Sequence, residues 1–365
     1  MDTETNKQKC QSDEAPTRYG FDSLPQELVV DIASRLPITS LVQFKFVRKS
    51  FYRLSHDPEL VNLHLSRAVK NDPCIIFLAG DPCFVELSDL GREKEVSVSM
   101  LKECFPEDGV VSFYRQVQAP AYINRMFAGN IIAFEFGFSP VTKEYKVIKI
   151  TYEYGPRSYF GTSEVQVFSL SGNSWRSIGE AAYQIDSQGI MLNGKMHWLT
   201  RFGMYNGCHD RLIVSFDLAD EVFAEVPKVD FNADPRTDSF HLAVLGGSLA
   251  VAITLPHQKG CGIEIWVMKE YNVKDSWVKE YIIGAYTPTP ISVMEHVKVL
   301  CLLKNGDLLV DYRCGNLVAY DPQNAVFRPL KYQGMPNWFQ REANWCQTIV
   351  HVGGLNWIGI PPAHL

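Results

Sequence analysis

Apolar residues near the start of the chain recur at the spacing of an amphipathic helix. Leu28, Ile32 and Leu36 occupy every fourth position, and Pro37 ends this run. A second helical pattern continues to Asp57-Pro58, with apolar positions three or four residues apart at Ile38, Leu41, Phe44, Val47, Phe51 and Leu54. Two or three short helices cannot bury all of these side chains among themselves. We therefore expect part of this apolar surface to stay exposed for a partner.

A further predicted helix follows along the chain, and after it the pattern of apolar and polar residues changes. Residues 58–70 are predicted to form a connecting helix, whereas residues 1–20 are polar and are predicted to be a disordered tail. From 71 onwards, short apolar runs are separated by Gly, Pro, Asn and Asp, a pattern typical of strands and turns. The sequence therefore predicts a small helical unit over 21–70 and a β-rich part after it.

The β-rich part repeats two kinds of hairpin. The first kind turns at a pair of Gly or Asn residues, which accept the positive φ of two-residue turns. These pairs are Asn193-Gly194, Gly246-Gly247, Asn305-Gly306 and Gly353-Gly354. The second kind has a polar turn followed by Phe or Trp, and occurs at 165–178, 213–226, 263–281 and 317–330. Their alternation, with a period of roughly 50 residues, favours a β-propeller over a β-sandwich.

Composition places the chain among globular proteins that bind other proteins. Its 365 residues are 46% hydrophobic and 12% aromatic, which allows two domains with a substantial core. The net charge of −6, without a large basic cluster, argues against nucleic acid or a membrane as partner. Neither an apolar leader nor a membrane-spanning stretch is found, and the 9 cysteines include no C-x-x-C pair. We expect reduced thiols and a cytoplasmic or nuclear location.

Candidate catalytic and metal-binding residues are few, and no nucleophile elbow, Walker loop or zinc-protease helix occurs. His197 stands alone on an apolar strand and is predicted to be a hydrogen-bonded core histidine. Cys208-His209 lacks a second Cys/His pair nearby, which makes it a poor metal site. Asp217 and Asp321 could form a glycosidase pair, but their equivalent positions predict a role in turns. Packing between repeats is predicted for Trp175, Trp266 and Trp277.

The helical unit resembles the F-box. The residues that carry this resemblance are Leu24-Pro25, Glu27-Leu28, Ile32, Leu36-Pro37, Leu41, Phe44, Val47 and Phe51-x-x-Leu54, followed by Asp57-Pro58. The resemblance implies a three-helix unit that docks on a Skp-type adaptor, which joins it to a cullin ubiquitin ligase and its RING subunit. Two residues depart from the family, because Arg48 replaces a small residue or Cys and Phe51 replaces Trp. The alternative is a helical hairpin that only caps the next domain.

From about 130 to 360, the chain resembles the plant F-box-associated interaction domain. The segments that carry this resemblance are 136–140, 145–147, 167–170, 174–176, 193–198, 216–217, 265–268, 276–277 and 320–322. The family domain usually opens with a Cys-Asn-Gly-Leu hairpin, and nothing similar lies between Val110 and Ala133. Either one repeat unit is lost or the first has diverged. We predict an irregular or degenerate start over 71–130 and a propeller-like domain over 131–365.

These resemblances imply an α+β multidomain protein, with an F-box ahead of an all-β, kelch-like propeller domain, that acts as substrate-recognition subunit of an SCF-type ubiquitin ligase. No catalysis and no cofactor are implied. The implied adaptor-binding residues are Leu24, Pro25, Leu28, Ile32, Leu36, Pro37, Leu41, Phe44 and Val47. An unknown protein substrate is expected to contact loop residues Tyr205, Trp338, Phe339, Arg341 and Trp345. The alternatives are a glycoside-binding or hydrolytic propeller, and an F-box module acting without the cullin.

Overall fold

The described residues form a helical part near the N-terminus and a β-rich part with five sheets. The structure is a computed structural model, and it describes residues 24–37, 40–41, 44, 47–55, 57–68, 70, 72–78, 83–87, 95–100, 130–154, 160–169, 172, 174–181, 183–185, 188–200, 211–233, 238–255, 262–284, 297–312, 316–333 and 347–351. The helices and strands given below lie within these ranges.

Three helices lie in the described N-terminal part: α1 (Gln26–Ala33), α2 (Lys49–Ser55) and α3 (Pro58–Ala68). α1 follows Pro25, and Glu27 in its first turn interacts favourably with the helix dipole. Ahead of α3, Oδ1 of Asp57 accepts a hydrogen bond from the backbone N–H of Glu59 at 2.8 Å, which caps the helix. The predicted second helix is described only in part, because residues 38, 39, 42, 43, 45 and 46 lie outside the described ranges.

The strands are numbered in chain order. Strands β1 (Cys74–Leu78), β2 (Cys83–Glu86) and β3 (Glu95–Met100) come first. Sheet I contains β4 (Asn130–Ser139), β5 (Glu144–Tyr154), β6 (Phe160–Ser169) and β7 (Ser174–Glu180). Sheet II contains β8 (Ile190–Leu192), β9 (Lys195–Leu199), β10 (Ile213–Asp217) and β11 (Phe223–Val226). Sheet III contains β12 (Ser239–Leu245), β13 (Ser248–Thr254), β14 (Ile263–Met268) and β15 (Trp277–Ile283), with a 3-10 turn at Lys274–Ser276.

The remaining strands complete two more sheets. Sheet IV contains β16 (Val297–Leu302), β17 (Leu308–Tyr312), β18 (Leu317–Asp321) and β19 (Val326–Pro329). The last strands are β20 (Lys331–Gln333) and β21 (Gln347–His351). Together with β1, β2 and β3 they form a fifth sheet in the order β20-β3-β2-β1-β21, which we call the closing sheet. Sheets I to IV are antiparallel throughout, with each strand paired to its neighbour in the chain.

The predicted hairpins form at the three turn pairs that the structure describes, but at Asn305-Gly306 only Gly306 has a positive φ, of 87°. Asn193 and Gly194, between β8 and β9, have φ values of 52° and 74°, and Gly246 and Gly247, between β12 and β13, have 57° and 81°. Positive φ at both central residues is the conformation whose twist matches that of the flanking strands. The second kind of hairpin also forms, as the β6–β7, β10–β11, β14–β15 and β18–β19 pairs. The Gly353-Gly354 turn lies outside the described ranges.

The sheets pack face to face in chain order. Separate apolar clusters join sheet I to sheet II, sheet II to sheet III, sheet III to sheet IV, and sheet IV to the closing sheet. Because sheet IV is packed on both faces, all residues of its strand β17 are buried. A strand covered on both faces needs a continuous apolar run rather than alternation. A row of small sheets packed in this way is the pattern of a β-propeller, and the predicted β-rich, propeller-like part is confirmed.

The closing sheet combines the beginning and the end of the β-rich part. Its strand β21 pairs antiparallel with β1 over the full length of both strands, whereas β20 pairs parallel with β3. The hydroxyl of Thr348 in β21 donates to Oδ2 of Asp311 in sheet IV at 2.5 Å. The interval 71–130, predicted to be irregular, therefore contributes strands β1 to β3 among its described residues, and these strands lie between β20 and β21 in the closing sheet.

Candidate functional site

One face of α1 is apolar and open to solvent. Leu24, just before the helix, and Leu28 and Ile32 within it are 38%, 51% and 41% exposed. Leu28 and Ile32 are four residues apart and therefore share one side of the helix. Val30 and Ala33 are buried on the other side. α1 thus packs through one side and presents large apolar side chains on the other, an arrangement typical of a docking surface.

The orientation of α1 is set by polar contacts with α3. Arg67 of α3 donates from Nη2 to Oδ1 of Asp31 at 2.5 Å, from Nη1 to the Asp31 carbonyl at 3.0 Å, and to the hydroxyl of Ser34. Arg35 donates two more hydrogen bonds, each of 3.1 Å, to the Asp31 carboxylate. The hydrogen bonds from Arg35 and then Arg67 lower the pKa of Asp31 to about 2. Because these groups lie at the surface, their main effect is to orient the helix.

His64 of α3 makes a second contact with the end of α1. Its Nε2 donates to the carbonyl of Leu36 at 3.1 Å, just beyond the helix. Carbonyl groups at a helix C-terminus lack partners within the helix, so this bond satisfies one of them. Burial lowers the pKa of His64, which keeps the ring neutral at physiological pH. His64 and Arg67 together fix the direction in which the exposed face of α1 points.

Most of the predicted adaptor-binding residues are exposed. Those that are exposed, which we call the helical docking face, are Leu24, Pro25, Leu28, Ile32, Pro37 and Val47. Leu36 is half-buried. Leu41 is 0% exposed, and the half-buried Phe44 stacks on Phe51 with the ring centroids 3.9 Å apart. Leu41 therefore packs inside the helical unit rather than on the docking face, and one side of Phe44 is already covered.

Several predicted site residues lie outside the described ranges. They are the substrate-binding candidates Tyr205, Trp338, Phe339, Arg341 and Trp345, and the pair Cys208-His209. Among the residues that the structure describes, no group of three or more His, Cys, Asp or Glu is arranged to hold a metal ion. Within the same part of the chain, no helix has both the length and the apolar character needed to cross a membrane.

Asp217 and Asp321, the pair of aspartates considered as glycosidase carboxylates, each serve their own turn. Oδ1 of Asp217 accepts hydrogen bonds from the backbone N–H groups two and three residues later, at 2.8 and 3.2 Å. Oδ1 of Asp321 does the same at 2.9 and 3.2 Å. A carboxylate used in this way replaces a backbone partner for the N–H groups of the turn. The predicted role of both residues in their turns is confirmed.

His197 of β9 is a hydrogen-bonded core histidine, as predicted. Its side chain is fully buried, and Nε2 lies 2.7 Å from the hydroxyl oxygen of Tyr271 in the β14–β15 turn. Burial lowers the pKa of His197 to about 4, so the ring is neutral at physiological pH. The contact joins sheet II to sheet III, which is a structural role.

The three recurring tryptophans do not share one role. Trp277 is buried, and its Nε1 donates to the carbonyl of Pro227 at 2.8 Å, which joins sheet III to the end of sheet II. Trp266 is half-buried against Phe231, with the ring centroids 5.6 Å apart. Trp175 is exposed and contacts Phe168 of its own sheet. Packing between repeats is therefore confirmed for Trp277 and Trp266, whereas for Trp175 it stays a prediction.

A half-buried carboxyl group that the sequence did not single out joins sheets I and II. Oε1 of Glu135, in β4, accepts hydrogen bonds from the backbone N–H of Gly189 at 2.7 Å and from Nε1 of Trp198 at 3.4 Å. A Cβ at position 189 would lie 2.5 Å from that indole nitrogen, so Gly is required there for the close approach. Burial raises the pKa of the Glu135 carboxyl to about 7.

Replacing Glu135 with Gln is expected to increase stability relative to the parent protein as pH rises from 4 to 8. Between its ordinary pKa of 4.5 and about 7, the folded protein holds a proton that the unfolded chain has released. Stability of the parent therefore falls with rising pH, by about 3 kcal/mol in total. Glu135→Gln removes this loss and keeps an acceptor oxygen for both donors.

Urea melts of both proteins at several pH values measure this effect. The buried histidines are present in both proteins, so their titration cancels in the difference between the two. A difference in the free energy of unfolding that stays constant from pH 4 to pH 8 would contradict the half-buried, proton-holding state of Glu135.

Comparison with known proteins agrees with this architecture. Residues 125–352, more than half of the chain, match the family of the F-box associated beta propeller domain. F-box protein At3g07870 of Arabidopsis thaliana is 34% identical over 408 residues and is matched over 94% of each chain. F-box protein CPR1, also of Arabidopsis thaliana, is 26% identical, with 88% of this chain and 87% of the relative covered.

Solved structures show a weaker likeness. An exo-beta-1,3-galactanase from Phanerochaete chrysosporium is 10% identical, covers 71% of this chain and 60% of its own, and has a TM-score of 0.33. A likeness at this level carries no argument about activity.

The family match and the relatives together cover both parts of the molecule. The match over 125–352 includes sheets I to IV and strand β21. The alignment with At3g07870 covers 94% of this chain and therefore includes most of the helical part as well. The chain thus belongs to the plant F-box proteins that carry an F-box associated β-propeller domain.

Proposed function

We propose that the chain is the substrate-recognition subunit of an SCF-type cullin ubiquitin ligase. In this role the helical docking face binds a Skp-type adaptor, as is general for F-box proteins, and the propeller-like part holds a protein substrate. The observation that carries the proposal is the exposed row of Leu24, Leu28 and Ile32 on a helix whose opposite side is packed. Covering such a row releases apolar surface from water, which favours binding.

The contribution of such a receptor is positioning. Holding a substrate lysine near the ubiquitin thioester raises its effective concentration, and this requires no catalytic group on the receptor. The chain between the helical and β-rich parts is short, since α3 ends at Ala68 and β1 begins at Cys74. Within it, Oδ1 of Asp72 accepts a hydrogen bond from the backbone N–H of Lys304 at 2.7 Å. A short, anchored connection limits how far the substrate can move relative to the adaptor.

Replacing Leu28 and Ile32 with Ala tests the proposal directly. Full coverage of a large aliphatic side chain contributes about 1.5–3 kcal/mol, and both residues already have about half of their surface covered. We expect the double variant to lose about 2–3 kcal/mol of binding energy, or roughly 30- to 150-fold in Kd for a purified Skp-type adaptor. Folding is expected to be nearly unchanged, because both side chains lie at the surface of the free chain.

A matched control removes similar apolar groups elsewhere. Val278 and Ile282 of β15 are 47% and 57% exposed, and their replacement with Ala should leave adaptor binding unchanged. Undiminished adaptor binding by a folded Leu28→Ala, Ile32→Ala variant would overturn the assignment of the docking face. Copurification of the parent protein with adaptor but without cullin would instead indicate a binding module that acts outside the ligase.

A further inference from the structure

A cavity of about 430 Å³ lies between sheets II and III, and we call it the II–III groove. It is lined by the end of β9, the start of β10, the segment that leads from β11 to β12, and the 3-10 turn of sheet III. Its volume is within the range of pockets that bind ligands or side chains of a partner. The groove shares no lining residue with the helical docking face.

The floor and walls of the II–III groove are apolar. Leu199 and Ile213 are buried beneath it. Val229, Ala233 and Phe240 are half-buried and form part of its walls. Walls of this kind favour an apolar side chain from a partner, because its burial removes apolar surface from water on both sides.

The charged residues of the groove are mainly basic. Arg211, Lys228 and Lys274 line it, together with the acidic Asp230. Oδ1 of Asp230 already accepts a hydrogen bond from the backbone N–H of Asn232 at 2.9 Å. The whole chain has the opposite balance, with 35 basic and 41 acidic residues. The groove is therefore a local basic site on an acidic protein, which attracts carboxylates and disfavours basic segments.

Aromatic rings hold two of the cations beside the apolar walls. Cζ of Arg211 lies 5.5 Å from the ring centroid of Phe240, and Nζ of Lys228 lies 5.9 Å from that of Phe231. Cations at this distance are attracted to the ring faces. The positive charges are thus placed next to the apolar surface, so that a partner must offer both kinds of group close together.

We propose that the II–III groove binds a segment of the substrate protein in which an apolar side chain is flanked by carboxylates. This inference rests on the proposed role as a substrate receptor and adds the chemistry of the segment that it recognises. The apolar side chain enters the cavity, and the flanking carboxylates lie in the positive potential of Lys228, Lys274 and Arg211. Pairing at the rim contributes mainly to selectivity, since acidic segments are attracted and basic ones repelled.

Selection from a random-peptide phage library tests this inference even while the natural substrate is unidentified. The full-length protein is the bait, and the enriched peptides are expected to carry Leu, Ile, Phe or Trp next to Asp or Glu. Peptides that bind in the groove should also bind more weakly as salt increases, because salt screens exposed charge pairs. Enrichment of neutral or basic sequences, or no enrichment at all, would overturn the proposal.

Charge reversal at Lys228 and Lys274 then locates the binding site. The double variant Lys228→Glu, Lys274→Glu is expected to weaken binding of the selected peptides at least about tenfold. The control variant Lys70→Glu, Lys331→Glu makes the same change in net charge at two exposed lysines away from the groove. The control should bind the peptides as the parent does. The single variant Lys274→Gln changes one exposed side chain and provides a second measurement if the double variant folds poorly.

Adaptor binding separates the failure of this inference from that of the proposed function. If the groove variant loses the peptides and still binds the Skp-type adaptor, both proposals are supported. If its peptide affinity equals that of the parent, the groove is not the recognition site, whereas the role as a receptor is unaffected. Loss of adaptor binding in the Leu28→Ala, Ile32→Ala variant tests the receptor role independently of the groove.

Discussion

Replacing Glu221 with Ala is expected to destabilise the β-rich part by about 3–5 kcal/mol. Glu221 lies in the β10–β11 turn, and its Oε1 accepts a hydrogen bond from Nζ of Lys146 in β5 at 2.7 Å. Both side chains are buried, and Lys146 also donates to the carbonyl of Leu218 at 2.6 Å. Without Glu221, the ammonium group stays buried and loses its counter-charge, which costs much more than the pair contributes when it is intact. The contact between sheets I and II is the part of the molecule affected.

Urea melts of three variants separate the buried charge from other effects. Glu221→Ala alone should show the full loss, and Lys146→Met combined with Glu221→Ala should recover much of it, because the buried charge is then removed. Arg176, which also pairs with Glu221, is half exposed and can be solvated by water when Glu221 is absent. The exposed pair Lys269–Glu280 is the control, and Glu280→Ala is expected to change the free energy of unfolding by less than about 1 kcal/mol. A loss below about 1 kcal/mol for Glu221→Ala would show that water reaches the Lys146–Glu221 pair.

The sequence predicts the local elements of this fold well, because their signals lie within a few residues. The pairs Asn193-Gly194 and Gly246-Gly247 predict tight hairpins through the positive φ that those residues accept, and the structure has these values. The spacing of Leu28 and Ile32 likewise predicts a helix with one apolar face. In each case the residue types restrict the backbone of their own segment.

Contacts between distant segments were not predictable in this way. β1 and β21 pair across more than half of the chain, and no pattern within either strand names its partner. The link from Glu135 to Gly189 and Trp198 depends on how sheets I and II pack, so local patterns offer no reason to single out that carboxyl group. The charge pattern of the II–III groove could not be predicted from the sequence either, because its basic residues come from three separate segments.

At the candidate site, too, local patterns predict the elements but not the packing between them. Helical periodicity identifies which residues of the helical part are apolar, and most of the predicted adaptor-binding residues are exposed. Periodicity does not distinguish Leu41, which is buried, from Leu28, which is exposed, because both lie at apolar positions of their helices. The difference arises from packing between helices, which the spacing of residues within one helix does not determine.

Replacing Phe77 with Ala is expected to destabilise the closing sheet by about 3–5 kcal/mol. Phe77 in β1 is fully buried, and its ring meets the edge of Tyr332 with the ring centroids 6.2 Å apart. It belongs to the apolar cluster that joins the closing sheet to sheet IV. Truncation leaves a cavity where strands from the two ends of the β-rich part meet, and no covalent bond joins β1 to β21 there.

Hydrogen exchange can show whether this loss is local. In Phe77→Ala, amide protection should fall most in β1 and β21, which pair with each other, and least in β12, β13 and β14 of sheet III. Trp175→Ala is the control, since this exposed side chain should cost less than about 1 kcal/mol when removed. If sheet III loses as much protection as the closing sheet, the five sheets unfold as one cooperative unit. In that case the pairing of β1 with β21 limits the stability of the whole β-rich part, because sheet III can open only when this pairing is broken.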